Sequence, residues 1–159
     1  MFRDKNRYSD ILAFKHSRVR LVQRPQMEGK GDLPEVQAYI NANFVDSPLK
    51  PGDQKIIASQ GPLPHTTDDF WRMISEQNVS LIVTTCNVQE NGRPKCNKFW
   101  IDPYDKKESQ SNIADANLQK ELEFVGLSLT PDKEEIQVSK NLIVRKMYLS
   151  DSVLGYTDR

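Results

Sequence analysis

Two signals placed back to back constrain this chain most: a helix pattern over residues 66–78 and, directly after it, a short apolar run rich in β-branched residues. Thr66 is an N-cap candidate with Asp69 three residues on, and Asp68 and Asp69 fall where the positive end of a helix dipole favours anions. Phe70, Trp71, Met73 and Ile74 then supply an apolar face, and Asn78 is a residue that can stop a helix. Residues 79–86, from Val79 to Cys86, read as a strand buried in the centre of a sheet. Upstream, residues 38–45 and 55–59 also read as strands, so helix and strands together predict an α/β layer.

Length fits one domain over residues 1–159, long enough to bury roughly two-thirds of the unfolded surface and build a core without staples. The longest aliphatic run, Leu81-Ile82-Val83, is far below the roughly 20 residues of a membrane span, and the charged start lacks the apolar stretch of a secretory signal. The only two cysteines, Cys86 and Cys96, match no metal spacing and make no disulfide scaffold. A reducing, cytoplasmic setting is expected, with no metal and no cofactor. Lys and Arg total 22 against 22 Asp and Glu. That neutral balance argues against a nucleic-acid partner. Residues 1–30 nonetheless carry a net +5 and residues 102–135 a net −5. A basic edge that meets a small anion and two solvated faces of opposite sign both fit this division.

Residues 23–35 and 102–117 read as polar surface loops. Beyond them, Leu122, Phe124, Leu127 and Leu129, then Ile136 and Val138, then Leu142, Val144 and Met147 form short apolar runs separated by turn residues such as Thr130-Pro131-Asp132-Lys133. That pattern predicts an antiparallel meander. After the turn-like segment 150–158 no closing element follows, so the domain reads as unfinished.

A loop that wraps a phosphate with a thiolate and a guanidinium needs Arg six positions after Cys. Those positions hold Gly92 after Cys86 and Asp102 after Cys96. Neither cysteine qualifies, and Cys86, at the end of the apolar run, reads as a core thiol. Trp100-Ile101-Asp102-Pro103 offers an acid on a loop, but without a nucleophile it reads as structural. His16 and His65 have no metal-spaced partner. Read as residues alone, Tyr8 is a half-buried aromatic near a chain end, Asp10 an N-cap before Ile11, Leu12 and Phe14, and Glu90 with Asn91-Gly92 a hairpin turn.

Five motifs in order change the weighting. Lys5-Asn6-Arg7-Tyr8-Ser9-Asp10, His16-Ser17-Arg18-Val19, Tyr39-Ile40-Asn41-Ala42-Asn43, Ser59-Gln60-Gly61-Pro62-Leu63-Pro64 running into Asp69-Phe70-Trp71-Arg72-Met73, and Lys95-Cys96-Asn97-Lys98-Phe99-Trp100 resemble the tyrosine-specific, cysteine-dependent protein phosphatases. The resemblance runs from residue 3 to the end. It implies an incomplete protein tyrosine phosphatase fold: a highly twisted mixed sheet with flanking helices, truncated before the catalytic loops. The implied activity is hydrolysis of phosphotyrosine in proteins through a cysteinyl-phosphate, with nucleophile and general acid outside these residues and no turnover expected from this chain. A non-catalytic phosphotyrosine-binding or regulatory fragment is the alternative.

By the same resemblance, Tyr8 would stack on the phosphotyrosine ring and Asp10 would accept backbone N–H bonds from the substrate peptide. Glu90 would pair with the clamping arginine and Lys95 would face the acid loop, while Asn41 and Asn43 would be structural. The partner implied is a phosphotyrosine-containing protein or peptide, and exposed sheet surface would favour association. Ser9 stands where some relatives have a basic residue, which removes a reason to prefer acidic peptides.

Overall fold

The computed structural model describes residues 2–22, 24, 35–48, 55–103 and 109–155. The chain divides into two compact units, one of Met1–Gln23 with Glu28–Lys98 and the other of Arg24–Met27 with Phe99–Arg159.

The first unit is built on a three-stranded antiparallel sheet of β1 (Arg18–Arg20), β2 (Tyr39–Asp46) and β3 (Lys55–Ser59), with β2 central. A single helical turn, α1 (Glu35–Ala38), leads straight into β2. Ala42 faces Ser59 and Asp46 faces Lys55 along the β2–β3 ladder, while an irregularity interrupts β1 between Arg18 and Arg20. The helix pattern becomes α2 (Thr67–Glu76). Thr66 is its N-cap, but the Thr66 hydroxyl is directed to the preceding turn and accepts the Leu63 N–H at 3.0 Å. Asn78 ends the helix at φ 52°, with its own N–H on Ser75 O at 3.1 Å and that of Val79 on Ile74 O at 3.0 Å. This paired bonding satisfies the last carbonyls of a helix.

Phe70, Trp71, Met73 and Ile74 are all buried, as are Val19, Leu21, Tyr39, Ile40 and Ala42. Each such large side chain contributes roughly 1.5–3 kcal/mol relative to exposure. Burial extends to charge: Asp69 meets Lys5 Nζ at 2.7 Å and Arg72 Nη1 at 2.9 Å, and Arg72 Nη2 donates to Val22 O at 2.7 Å. Gly61 packs so closely that a Cβ there would lie 2.8 Å from Lys95 O and 3.0 Å from Cys96 Cβ.

Two expectations fail in this unit. Residues 79–86 form no strand, and Leu81 and Val83 are 76% and 75% exposed. The high β-propensity of this run is a fitness for packing between neighbours, and none of the described strands pairs with it. The α/β class stands, but the expected mixed sheet does not: among the described residues every pairing is antiparallel, in three small sheets, two in this unit and one in the second. After residue 86 a tight hairpin joins β4 (Gln89–Glu90) to β5 (Arg93–Pro94). Asn91 at φ 49° and Gly92 at φ 74° form its turn, the left-handed pair such a two-residue hairpin requires.

In the second unit, the segment read as a polar loop becomes α3 (Ser109–Phe124) from residue 109 onward. Residues 104–108 and nearly all of 23–34 lie outside the described residues. Leu122 and Phe124 therefore belong to a helix and not to a meander. Gly126, at φ 79°, turns the chain into a single long hairpin of β6 (Leu127–Ser139) and β7 (Leu142–Asp151). Thr130-Pro131-Asp132-Lys133 lies within β6, where the register is irregular between Pro131 and Glu135, and the reversal comes at Lys140-Asn141. Leu118, Leu122, Val125, Leu127, Leu129 and Leu149 form the core.

Arg24 and Asp151, both at most 1% exposed, pair through two bonds of 3.0 and 2.8 Å, and Arg24 also donates to Val125 O at 3.0 Å. Asp102, on the loop that offered an acid, is structural: it accepts the Trp100 indole N–H at 3.2 Å, and its own N–H donates to Asp115 at 3.2 Å.

Two substitutions test this packing. Asp151→Ala leaves a buried guanidinium without its carboxylate, a loss of about 3–5 kcal/mol, so amide exchange in β6 and β7 should accelerate by about two to four orders of magnitude. Gly61→Ala forces backbone apart and should lower the unfolding free energy of the first unit by about 1–3 kcal/mol in a urea titration.

Candidate functional site

Residues 5–17 carry the candidate site, and most of this segment lies outside helix and strand. Its polar groups are taken up instead by side chains and carbonyls of other segments. Lys5 donates to Asp69 and, at 3.3 Å, to Tyr39 O. Asn6, buried, accepts from Tyr39 Oη and Asn41 Nδ2, each at 2.7 Å, and donates to Phe2 O. The Arg7 guanidinium spreads over three carbonyls, with bonds of 3.3 and 3.1 Å to Gly61 O, 2.7 Å to Pro62 O and 3.2 Å to Pro94 O. Planar guanidinium, with five donors in a rigid fork, suits this task. The Arg7 N–H donates to Gln60 Oε1 at 2.9 Å, and Gln60 Nε2 returns a bond to Lys5 O at 2.8 Å.

The same lacing continues past the candidate residues. Asn41 Nδ2 donates to Ile11 O at 2.8 Å, the Ala13 N–H donates to Tyr39 Oη at 3.3 Å, and Asn43 bonds both the N–H and the C=O of Phe14. Tyr39, Asn41 and Asn43 alternate along β2 and so present the same face of the strand. The structural part expected for Asn41 and Asn43 is therefore a definite one: they hold the loop in front of the strand.

Between these anchors, Tyr8 and Asp10 sit in one turn, closed by the Ile11 N–H on Tyr8 O at 3.3 Å. No helix follows Asp10, so it caps none. Tyr8 is 47% exposed and Asp10 is exposed. Lys95 reaches Tyr8 from the β4–β5 hairpin, with its ammonium 2.9 Å from the phenol oxygen and 5.6 Å from the ring centroid. Glu90, on the same hairpin, accepts the Asn87 N–H at 3.1 Å and so braces the hairpin mouth. The structure thus brings together Tyr8, Asp10 and Lys95, and gives Glu90 a partner of its own.

The set can offer an exposed aromatic face, an exposed carboxylate and a cation beside the ring. It offers no nucleophile. Cys96 is buried, and its thiol is pushed up to about 11, first by burial and then by Cys86 beside it, against the opposing pull of Arg7. A thiol held there is protonated at neutral pH and does not attack. Reasoning from sequence alone did not assign parts to Lys5, Asn6, Arg7 and Gln60, although they flank Tyr8 or the Gly61 turn within the recognised motifs; long-range bonds to carbonyls leave no periodic trace.

Among the described residues no helix is long and apolar enough to cross a membrane, and no cluster of His, Cys, Asp or Glu could hold a metal ion. Comparison with known proteins gives a match to the protein-tyrosine phosphatase family over residues 2–153. The chain is 47% identical to human receptor-type tyrosine-protein phosphatase zeta over 109 residues, which is 69% of this chain and 4% of that protein. With mouse tyrosine-protein phosphatase non-receptor type 18 the identity is 46% over 97 residues, 61% of this chain and 19% of that protein. With Drosophila melanogaster tyrosine-protein phosphatase 99A it is 48% over 96 residues, 60% of this chain and 7% of that protein. The chain thus spans less than a fifth of the length of each of these relatives. Since the family match takes in nearly the whole chain, and the Tyr8 turn, the Gly61 turn and α2 are built by its motifs, this chain belongs to the protein-tyrosine phosphatase family.

Proposed function

We propose that residues 1–159 form part of a single protein tyrosine phosphatase domain and supply its phosphotyrosine-receiving side. Tyr8 stacks on the ring of the phosphorylated tyrosine. Asp10 accepts peptide N–H groups of the substrate. Lys95 keeps Tyr8 in place and adds positive charge at the rim. Glu90 braces the hairpin that carries Lys95. The observation that supports this reading best is the contact of Lys95 with Tyr8, since it holds an exposed ring next to a cation on a turn fixed by side-chain bonds. Reach favours tyrosine over serine, because an aryl phosphate extends past a stacked ring and a seryl phosphate does not.

Hydrolysis needs a thiolate and an acid. Neither cysteine has Arg six residues on, Cys96 is protonated at neutral pH, and Asp102 is engaged with Trp100 and Asp115. Our reading is that these residues bind but do not turn over, and that dephosphorylation through a cysteinyl-phosphate belongs to a domain holding the further loops. A non-catalytic phosphotyrosine-binding or regulatory part is the second reading, and the exposed Leu81 and Val83 favour association with another surface. Protein phosphotyrosine as the ligand and the lack of a membrane-crossing helix among the described residues suit a cytoplasmic setting.

Two measurements on the 159-residue chain test this. Release of p-nitrophenol from p-nitrophenyl phosphate should equal the buffer blank; turnover above it contradicts the assignment. A phosphotyrosine peptide should bind saturably in calorimetry, more tightly than its phosphoserine counterpart, and Tyr8→Ala should weaken it about three- to tenfold, the worth of one aromatic contact. Equal binding by both variants contradicts the part given to Tyr8.

A further inference from the structure

Asn91 and Gly92 serve the fold as a turn, and the phosphotyrosine reading makes no use of them. They are the chain's one Asn-Gly pair; every other asparagine is followed by a residue with a side chain. Asparagine is among the thermolabile residues, and loss of its amide begins when the backbone nitrogen of the next residue attacks the side-chain carbonyl carbon. A fold permits that attack where the amide is uncommitted, the following N–H is free and the following residue can turn. Asn91 and Gly92 are both exposed, and among the described residues neither the Asn91 side chain nor the Gly92 N–H holds a hydrogen bond. The ladder pairs Glu90 with Arg93 and Gln89 with Pro94, and it leaves both central N–H groups out. Nothing lies within 4 Å of where a Gly92 Cβ would stand, and no residue turns more freely than glycine. Asn78 supplies the contrast. It too is exposed and has nearly the same backbone angle, φ 52° against 49° for Asn91. Yet the N–H that follows it, that of Val79, is bonded to Ile74 O at 3.0 Å, and Val79 is β-branched and stiff.

We propose that Asn91 is a modification site, converted through a cyclic imide to aspartate and isoaspartate, and that the conversion loosens the hairpin carrying Lys95. The Gly92 nitrogen attacks Asn91 Cγ, a C–N bond forms, and the bond from Cγ to the side-chain nitrogen breaks. That nitrogen leaves as ammonia, carrying the proton that Gly92 gives up. Water then opens the imide. Cleavage of the new bond at Cγ leaves aspartate, and cleavage of the original peptide bond leaves isoaspartate, with the chain running through Cγ. One water is consumed, one ammonia is released, and nothing is oxidised or reduced. Either product places a new carboxylate one residue from Glu90. Isoaspartate also lengthens by one carbon a connection that must be two residues long for Glu90 to face Arg93. The hairpin that brings Lys95 to Tyr8 then loses the turn that sets its register.

The test holds the full chain warm at mildly alkaline pH, in native buffer and in concentrated urea, and follows it by peptide mapping with isoaspartyl methyltransferase labelling. In native buffer the expected result is progressive loss of the parent peptide holding Asn91, a mass change equal to exchange of NH2 for OH, and methyl labelling at residue 91. Asn78 should stay intact over the same period. Conversion should be faster at higher pH, because the attacking nitrogen must give up its proton. Asn91→Gln, whose longer side chain closes the ring poorly, should show no conversion at that position. In the isoaspartyl chain the Lys95 N–H, bonded to Val88 O at 2.8 Å, should exchange at least about tenfold faster, as local opening of the hairpin requires. Asn91 intact in native buffer while it converts in urea, conversion of Asn78 at an equal rate in native buffer, or unchanged exchange at Lys95 in the isoaspartyl chain would each overturn the proposal.

Discussion

The Arg7 guanidinium, spread over the carbonyls of Gly61, Pro62 and Pro94, is the interaction on which the first unit's site depends. It joins three places at once: the turn that carries Tyr8, the close turn at Gly61, and the hairpin that carries Lys95. Without it, the part-buried Gly61 carbonyl loses the Arg7 donor, while Pro62 O keeps the Asn97 N–H at 2.8 Å and the exposed Pro94 O can turn to water; an unmatched buried polar group costs about 1–3 kcal/mol. Asn6 and Lys5 complete the anchoring on the side of β2 and α2. A loop of irregular backbone can be held in one position only if its polar groups find partners. Here the partners are the amide and hydroxyl side chains of a strand, and the Tyr8 ring is left exposed between them.

The same economy explains how charge is used. Lys5, Asp69 and Arg72 spend their charges inside the first unit, and Arg24 and Asp151 do so inside the second. The net +5 of residues 1–30 therefore overstates the free positive surface near Tyr8, since Lys5 and Arg7 are already engaged. Lys95 is the cation that meets the Tyr8 ring. Cys96 is likewise withdrawn from nucleophilic work, kept protonated by its surroundings.

Local patterns in the sequence foretold the parts of the fold that are locally determined. Asp68 and Asp69 at its start, the apolar residues within and Asn78 at its end mark α2 because each acts within a few residues. Asn91-Gly92 specified its turn for the same reason, and strands β2 and β3 fall within a residue of the positions expected. Residues 79–86 misled because a β-branched run describes the neighbours it would suit, and no described strand supplies them. Helix α3 was missed because Ser109, Ser111 and Asn112 are turn formers and Leu118 and Leu122 are too sparse for a clear stripe. At the candidate site, Tyr8, Asp10, Glu90 and Lys95 were singled out only through ordered motifs. The Arg7 fork depends on long-range register, to which spacing along the chain gives no access.

The central claim is that side chains, in place of secondary structure, hold the Tyr8 turn in position. Site-resolved amide hydrogen exchange on the 159-residue chain tests it most directly, at Arg7, Ala13 and Phe14, whose N–H groups donate to Gln60, Tyr39 and Asn43. The account predicts clear protection at all three, comparable with that of the β2–β3 ladder amides although none of the three lies in a helix or strand. Exchange at the rate of an unstructured peptide, with the β2–β3 ladder still protected, would contradict it.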